Sequence, residues 1–299
     1  GQQETQQPTP STNPIKIGAV LPLTGIASIH GQNEREGIDL AVQEINAQGG
    51  INGKQVKIIY EDDASEPAKS LSATKKLIED DDAKIIIGGT WDILANAIIP
   101  EIDRQKVVLL SPSALPDTVT TTSPFFFSVH SPVAINQQVF EEWLTDLKQS
   151  DSGDNRVLRI GVLVVHNPWG LAHRYAFEKA AHAQNVTIAE TLELQNFDGN
   201  DIATELTKFK SLNLDGLFVT VNFGDLAMLA KKRIELDLAI PILVNDNLLS
   251  AVNDGRISPE LASGFFVFKF NTWGDAFAAR FQTAYEKQPE IYNDVAYDT

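Results

Sequence analysis

One unit recurs in this sequence and limits what the chain can fold into. Residues 15–53, IKIGAVLPLTGIASIHGQNEREGIDLAVQEINAQGGING, join a short apolar run to a glycine-marked loop, a helical pattern and a Gly-Gly stop. Ile15–Leu21 is almost unbroken in apolar and β-branched residues, as expected of a parallel strand buried on both faces. After Gly31, the residues Ile38, Ala41, Val42 and Ile45 recur at helical spacing, and Gly49–Gly50 supply the left-handed stop. Residues 159–185, RIGVLVVHNPWGLAHRYAFEKAAHAQN, repeat the strand, loop and helix.

Between and after these units the same alternation continues. Lys57–Tyr60, Lys84–Gly88, Val107–Leu110 and Phe125–Val129 read as strands in the first half. The helix after Asp62–Asp63 is expected to start at Ser65 as its cap with Pro67 in the first turn, and to bury Leu71, Thr74, Leu77 and Ile78. A helix from about Ile93 to Gln105 contains Pro100, and another covers Gln137–Lys148. The polar stretch QSDSGDN then marks a boundary.

The second half offers strands Ile160–Val165, Thr187–Leu194, Gly216–Val221 and Ile240–Val244, with helices Leu171–Ala183, Ile202–Leu212 and Leu226–Leu236 between them. The Phe197–Asp198 step precedes the middle helix, and Gly264–Phe270 echoes Phe125–Val129. Strands alternating with helices through short loops imply an α/β fold with two parallel sheets flanked by helices, each a Rossmann-like lobe. Lobe 1 is expected to hold residues 15–130 with 268–299, and lobe 2 residues 131–267. The crossings are placed near Ser128–Pro132 and Gly264–Lys269.

Ligands of open parallel sheets sit outside the carboxyl ends of the strands. The loops so placed are Thr24–Gly31, Thr90–Asp92, Ser111–Pro116, Asn167–Gly170, Asn222–Asp225 and Asn245–Asn247. With the lobes hinged face to face, all six would line one cleft.

The totals narrow the function classes. A chain of 299 residues has room for two domains with their own cores. A net charge of −16 with no Lys/Arg stripe argues against a nucleic-acid partner. Zero cysteines rule out disulfides, Cys-ligated zinc and thiol chemistry. No apolar run reaches the roughly 18–20 residues of a membrane span. Residues 1–14 hold no apolar side chain and read as a flexible tether, which suits an exported protein after removal of its signal.

Catalytic patterns are absent. Ser111 stands in no G-x-S-x-G elbow, and neither phosphate-loop nor dinucleotide glycine signature follows a strand. His166 and His173 lack the i, i+4 spacing of a helical metal pair. No catalytic residue, metal site or cofactor is expected.

At the residue level the chain resembles the branched-chain-amino-acid type of periplasmic solute-binding proteins, the type I, Leu/Ile/Val-binding-protein-like receptors of ABC transporters. The resemblance rests on IKIGAVLPLTG, the Ala27–Gly31 step with His30, LAVQEINAQGGINGK, the Asp62–Asp63 pair and SPSA at 111–114. It continues through NPWG at 167–170 and NDVAYD at 293–298. It implies a hinged two-lobe receptor that closes on a small solute and presents it to an ABC permease. Such a protein is exported to the periplasm or anchored at the outer face of the membrane, and is expected to be a monomer. The family pattern runs on beyond the YD motif, so the segment that closes the second lobe is expected to be missing from this chain.

The resemblance also implies how an α-amino acid would be held. Its carboxylate would meet a hydroxyl and backbone N–H groups at Thr90–Asp92 and at Ser113, Ala114 and Leu115. Its ammonium would meet Asp246, with aromatics closing from the other lobe. This sequence departs from the pattern where it matters. Asp92 stands where the family has a capping Ser, Leu115 where it has a Thr, and Ser128 where it often has an Arg. Losing two hydroxyl contacts to a charged group would cost about 3–6 kcal/mol. A cationic or neutral ligand, with a flat ring or an amide, is the better match for His30, Trp91, Trp169 and Phe223 as stacking surfaces and Asp92, Asn222 and Asp246 as polar handles.

Each of these residues also has a plainer reading. Asp92 can serve only as a helix cap, Trp91 and Trp169 can be core, and His30 can pack on its own loop. Asp246 can satisfy loop amides, and Asp62–Asp63 reads as structural. Two other functions share the scaffold: a sensory or regulatory binding protein, and an α/β enzyme using the same cleft.

Overall fold

The computed structural model describes residues 13–115, 119, 122–130, 133, 136–150, 156–195, 200–253, 255–268 and 274–299. The expected tether up to residue 12, Pro116, Pro132, the boundary stretch 151–155, the Phe197–Asp198 step and Lys269–Phe270 lie outside the described residues, as does the side chain of Phe223. The chain divides into two compact units, residues 1–130 with 272–299, and residues 131–271.

In chain order the first unit forms β1 (Ile15–Leu21), α1 (Ser28–Ala47), β2 (Val56–Asp62), α2 (Pro67–Glu79), β3 (Ile85–Gly88), α3 (Trp91–Gln105), β4 (Val108–Ser111) and β5 (Phe126–Ser128). Its sheet is parallel throughout, in the order β2-β1-β3-β4-β5. Side chains along β1 alternate between two cores. Val20 faces Leu77, Ile86, Ile98 and Ile102 from α2, β3 and α3. Ala19 and Leu21 face Ile38 and Ala296 on the other side. Burial on both faces is why this strand reads as continuously apolar.

The second unit forms α4 (Asn136–Ser150), β6 (Arg159–Val165), α5 (Pro168–Ala183), β7 (Thr187–Leu194), α6 (Asn200–Lys210), β8 (Gly216–Thr220), α7 (Phe223–Glu235), β9 (Ile242–Asn245), α8 (Asn247–Asn253), α9 (Pro259–Ala262) and β10 (Phe265–Phe268). Its parallel sheet has the order β10-β9-β8-β6-β7. Read from its first strand, this is the same winding as in the first unit. One face of the sheet carries an aromatic cluster. Phe177 stacks on Phe218 with ring centroids 4.2 Å apart, and Phe140 and Phe268 meet Phe218 at 5.0 and 5.7 Å.

The chain then returns to the first unit with α10 (Asp275–Tyr285) and α11 (Asn293–Asp298). These two helices explain a miss in the expected face of α1. Leu40 is buried against Phe277 and Phe281, whereas Ile45, expected inside, is 37% exposed. Gly37 sits at the closest approach: a Cβ there would lie 2.0 Å from the carbonyl oxygen of Asn293. Periodicity alone showed one apolar stripe, but α1 has two partners.

Several helices begin two or three residues before their apolar pattern does. The first-turn N–H groups have no intrahelical partner, so the residues there answer to other constraints than core-facing periodicity. α1 takes in Ser28–Gly31, expected as loop. α3 opens at Trp91, with Thr90 as its cap residue, so Asp92 lies inside the first turn rather than at the cap. Ser65 does not cap α2 either; Glu66 holds that position without a side-chain bond. The Ser65 hydroxyl instead accepts from the Ala27 N–H and donates to the Thr24 carbonyl, both at 3.0 Å, tying the exits of β1 and β2 together.

α5 has a true side-chain cap. Asn167 Oδ1 accepts the Gly170 N–H at 2.8 Å, with Pro168 in the first turn. Asn167→Ala is expected to destabilise the second unit by about 1 kcal/mol. Denaturant unfolding of the two proteins checks it, and an unchanged midpoint would mean that the bond contributes nothing net.

Candidate functional site

Both sheets wind outward from an internal strand, so each has a point where the strand order reverses: between β1 and β3 in the first unit, and between β6 and β8 in the second. At such a point the exits of two neighbouring strands diverge and leave room for a ligand at the carboxyl edge. The candidate residues distribute over these two edges.

In the first unit, His30 lies in the first turn of α1 and Trp91 opens α3 with a left-handed φ of 64°. The Trp91 indole N–H donates to His30 Nδ1 at 2.8 Å, bridging the exits of β1 and β3. A neutral His30 ring therefore carries its proton on Nε2. Tyr292, just before α11, meets the same ring edge-on at 4.9 Å and His130 at 5.8 Å. Trp91 and Asp92 are half-buried. Burial pushes the Asp92 carboxyl above its usual range, against the backbone N–H groups of Asp92 and Ile93, which favour the charged form.

The next turn of α1 supplies a residue that the sequence reading left out. Glu34 is fully buried, and its carboxyl accepts from Thr90 Oγ1 at 2.5 Å and from the Ser113 hydroxyl. Burial raises its pKa to about 7; the two hydroxyl bonds act in the opposite direction, and the nearby Asp63 adds to the rise. A signal for it existed. His30, Glu34 and Ile38 are spaced by four, so a buried Ile38 puts Glu34 on the same inward face.

The Ser113–Leu115 turn is buried. Two of the donors expected to greet a ligand carboxylate there are engaged within the protein. The Ser113 hydroxyl is on Glu34, and the Ala114 N–H donates to Ser111 Oγ at 3.0 Å. Ser128, in the place of the family's arginine, donates to the Ala114 carbonyl at 2.6 Å and holds the turn from β5.

Asp62 and Asp63 have the structural role expected of them. Asp62 accepts from the Thr24 N–H and hydroxyl and from the Ala64 N–H. Burial opposes its charge, but those bonds together hold its pKa below the usual value. Asp63 is buried, accepts from the Ser65 N–H, and is pushed up to about 6 by burial.

In the second unit, Trp169 is half-buried in the first turn of α5 and packs partly on the core. His173 lies one turn on, fully buried. Its Nδ1–H faces the Trp169 carbonyl at 2.8 Å and its Nε2 faces the Asn136 amide at 3.2 Å. A neutral imidazole donates on one side and accepts on the other, so His173 fastens α5 to α4 and seats Trp169, whose ring is 4.8 Å away. His166 pairs with Glu193, which also binds Arg174.

Asn222 occupies the cap position of α7 without a side-chain bond and is half-buried. Asp246 is buried, and its carbonyl accepts from Leu249 and Ser250 at the start of α8. On either side of it, Asn245 Oδ1 accepts the Val221 N–H at 3.0 Å and Asn247 Nδ2 donates to the Val221 carbonyl at 3.3 Å. The exits of β8 and β9 are thereby clamped together. No cluster of three or more potential metal ligands occurs among the described residues, and no described helix is long and apolar enough to cross a membrane.

Comparison with known proteins agrees with the winding. A family model described as periplasmic binding protein matches residues 14–299. A Leu/Ile/Val-binding protein homolog 2 of Brucella abortus is 33% identical over 115 residues, 38% of this chain and 28% of that relative. The matched stretch thus spans little more than a quarter of the relative's length. The isoleucine complex of the branched-chain amino acid transporter substrate-binding protein LivJ of Streptococcus pneumoniae has the same fold, with a TM-score of 0.79 at 22% identity, covering 96% of this chain and 81% of that one. A benzoate complex of an ABC-transporter solute-binding protein of Rhodopseudomonas palustris gives 0.77 at 20% identity, over 96% and 78%. With the family model running from the first strand to the last residue of the chain, this protein belongs to the periplasmic binding protein family, and its relatives lie among the Leu/Ile/Val-binding proteins.

Proposed function

We propose that this protein is the extracytoplasmic solute-binding subunit of an ABC importer. It captures a small polar solute, an amino acid, an amide or a related amine or aromatic compound, and delivers it to a membrane permease. It acts as an exported monomer, needs no cofactor and carries out no reaction. Family membership over residues 14–299 is the observation that carries this reading. The two strand-exit edges support it, because each carries aromatic rings and polar groups where an open parallel sheet holds a ligand.

The contacting residues in this reading are His30, Trp91, Asp92 and the Ser113–Leu115 turn from the first unit, and Trp169, Asn222, Phe223 and Asp246 from the second. The solved relatives hold isoleucine in one case and benzoate in another, and these open the list of probes. A thermal-shift screen over amino acids, amides, polyamines, purines and aromatic acids identifies the solute class. Calorimetry followed by recovery of the ligand unchanged separates binding from catalysis.

Trp169→Ala and Asp246→Ala are each expected to weaken binding of the best probe by at least about tenfold, about 1.4 kcal/mol. Full affinity in both variants would remove these residues from the site. Leucine itself is expected to bind weakly, since the Ser113 hydroxyl and the Ala114 N–H are already engaged. Tight leucine binding in the same screen would show that other amides hold its carboxylate.

A further inference from the structure

Three neighbouring segments of the first unit meet at Glu34. It stands on α1, which follows β1; Thr90 leaves β3; Ser113 leaves β4. These strands are adjacent in the sheet, so all three residues lie at its carboxyl edge beside the reversal of strand order. All three are buried, and the carboxyl takes one hydroxyl on each oxygen.

A hydroxyl has one proton to donate and two lone pairs with which to accept. Once Thr90 and Ser113 have given their protons to Glu34, only their lone pairs remain for a solute. On the reading of the protein as a solute receptor, we propose that Glu34 determines which end of a solute this edge holds. It makes the edge a hydrogen-bond acceptor, selective for an ammonium, amidinium or amide N–H and unfavourable to a carboxylate.

The same arrangement couples selectivity to protonation. A protonated Glu34 must donate through one of its oxygens. The hydroxyl receiving that proton turns its own outward and becomes a donor again. Glu34 titrates near neutrality, with its pKa raised to about 7. Asp63, on the loop after β2, is the charged group acting on it. His30 stands one turn earlier on α1, Asp92 two residues after Thr90 on α3, and Asp294 on α11, which packs along α1. Asp294 is itself pushed up to about 6 by burial, and Ser113's segment adds no charged group. Lower pH therefore shifts the edge toward carboxylates, and higher pH toward N–H donors.

The test compares matched probes by calorimetry at pH 6 and pH 8.5: benzoate against benzamide and benzamidine, none of which changes its own charge over this range. At pH 8.5 the wild-type protein is expected to prefer the amide or amidine over the matched acid by about tenfold or more, and less strongly at pH 6. In Glu34→Gln the side chain both donates and accepts at every pH, so the preference should shrink and no longer change with pH. Ser113→Ala, which leaves Glu34 in place and removes one acceptor, should lower the preference at pH 8.5 by about threefold or more. This variant decides the matter should Glu34→Gln fail to fold. A preference for the acids at both pH values, or an unchanged preference in the variants, overturns the role of Glu34 while leaving solute binding intact. Failure of every probe in the wider screen overturns both readings.

Discussion

Phe218→Ala is expected to destabilise the second unit by about 3–5 kcal/mol, a large share of what a domain of this size has in reserve. Phe218 is fully buried at the middle of β8 and touches three other rings: Phe140 from α4, Phe177 from α5 and Phe268 from β10. Removing its ring empties the point where two helices and two strands meet. The surrounding backbone belongs to a sheet and cannot collapse far into the void. Urea unfolding followed by tryptophan fluorescence measures the loss, since Trp143 and Trp169 lie in this unit. A loss below about 1 kcal/mol would mean that the aromatic cluster repacks freely. Phe218→Leu, which keeps much of the volume, should recover over half of the difference.

A fall in stability between pH 5 and pH 8 is the second large effect expected, and Glu34 should be the largest single contributor to it. The folded-state pKa of Glu34 is raised from 4.5 to about 7 by burial. Between these values the folded protein keeps a proton that the unfolded chain has released. Its stabilising contribution is therefore complete below about pH 4.5 and is lost as the pH rises through 7. A difference of this size corresponds to about 3 kcal/mol. Asp63 and Asp294, each raised to about 6, act in the same direction over a narrower window. Asp62 and Asp215, both lowered, act oppositely, but only as the pH falls below the usual carboxylate range. Denaturant melts across this range should show the slope, and Glu34→Gln should remove about half of it, leaving the share of Asp63 and Asp294. Equal slopes in the two proteins would place the titrating group elsewhere.

How much was legible beforehand differs between scaffold and site. β1 and β6 lie within one residue of where the apolar runs put them, because a strand buried on both faces leaves an unbroken record in the sequence. The Gly49–Gly50 stop was equally readable: both residues have left-handed φ, 98° and 76°, which few other residue types adopt. Helix starts were not. Trp91 and Asp92 were read as a loop and a cap, and the structure makes them the first turn of α3. The face of α1 was half right, since α10 and α11, from the far end of the chain, bury Leu40 and leave Ile45 outside.

Among the site residues, the pairing of His30 with Trp91 joins two positions 61 residues apart that periodicity could nominate only separately. Glu34 was passed over because a charged side chain on an amphipathic helix ordinarily faces water. Only its spacing from Ile38 pointed inward. The hydroxyl of Ser113 was read as a donor for a ligand, and the structure engages it on Glu34.

The sequence by itself determined that the chain is α/β, that it winds two parallel sheets, and that its candidate site residues leave from strand ends. Those properties follow from local patterns: periods of two and 3.6, glycines at left-handed positions, and prolines at helix starts. The tertiary structure alone decided which polar groups satisfy one another. Thr90 and Ser113 are distant in the chain from Glu34, and only the folding of β1, β3 and β4 side by side puts a buried carboxyl between their hydroxyls. Hydrogen-bond direction is a property of such meetings, not of any residue alone, so what the first unit offers a solute could not be read from the chain.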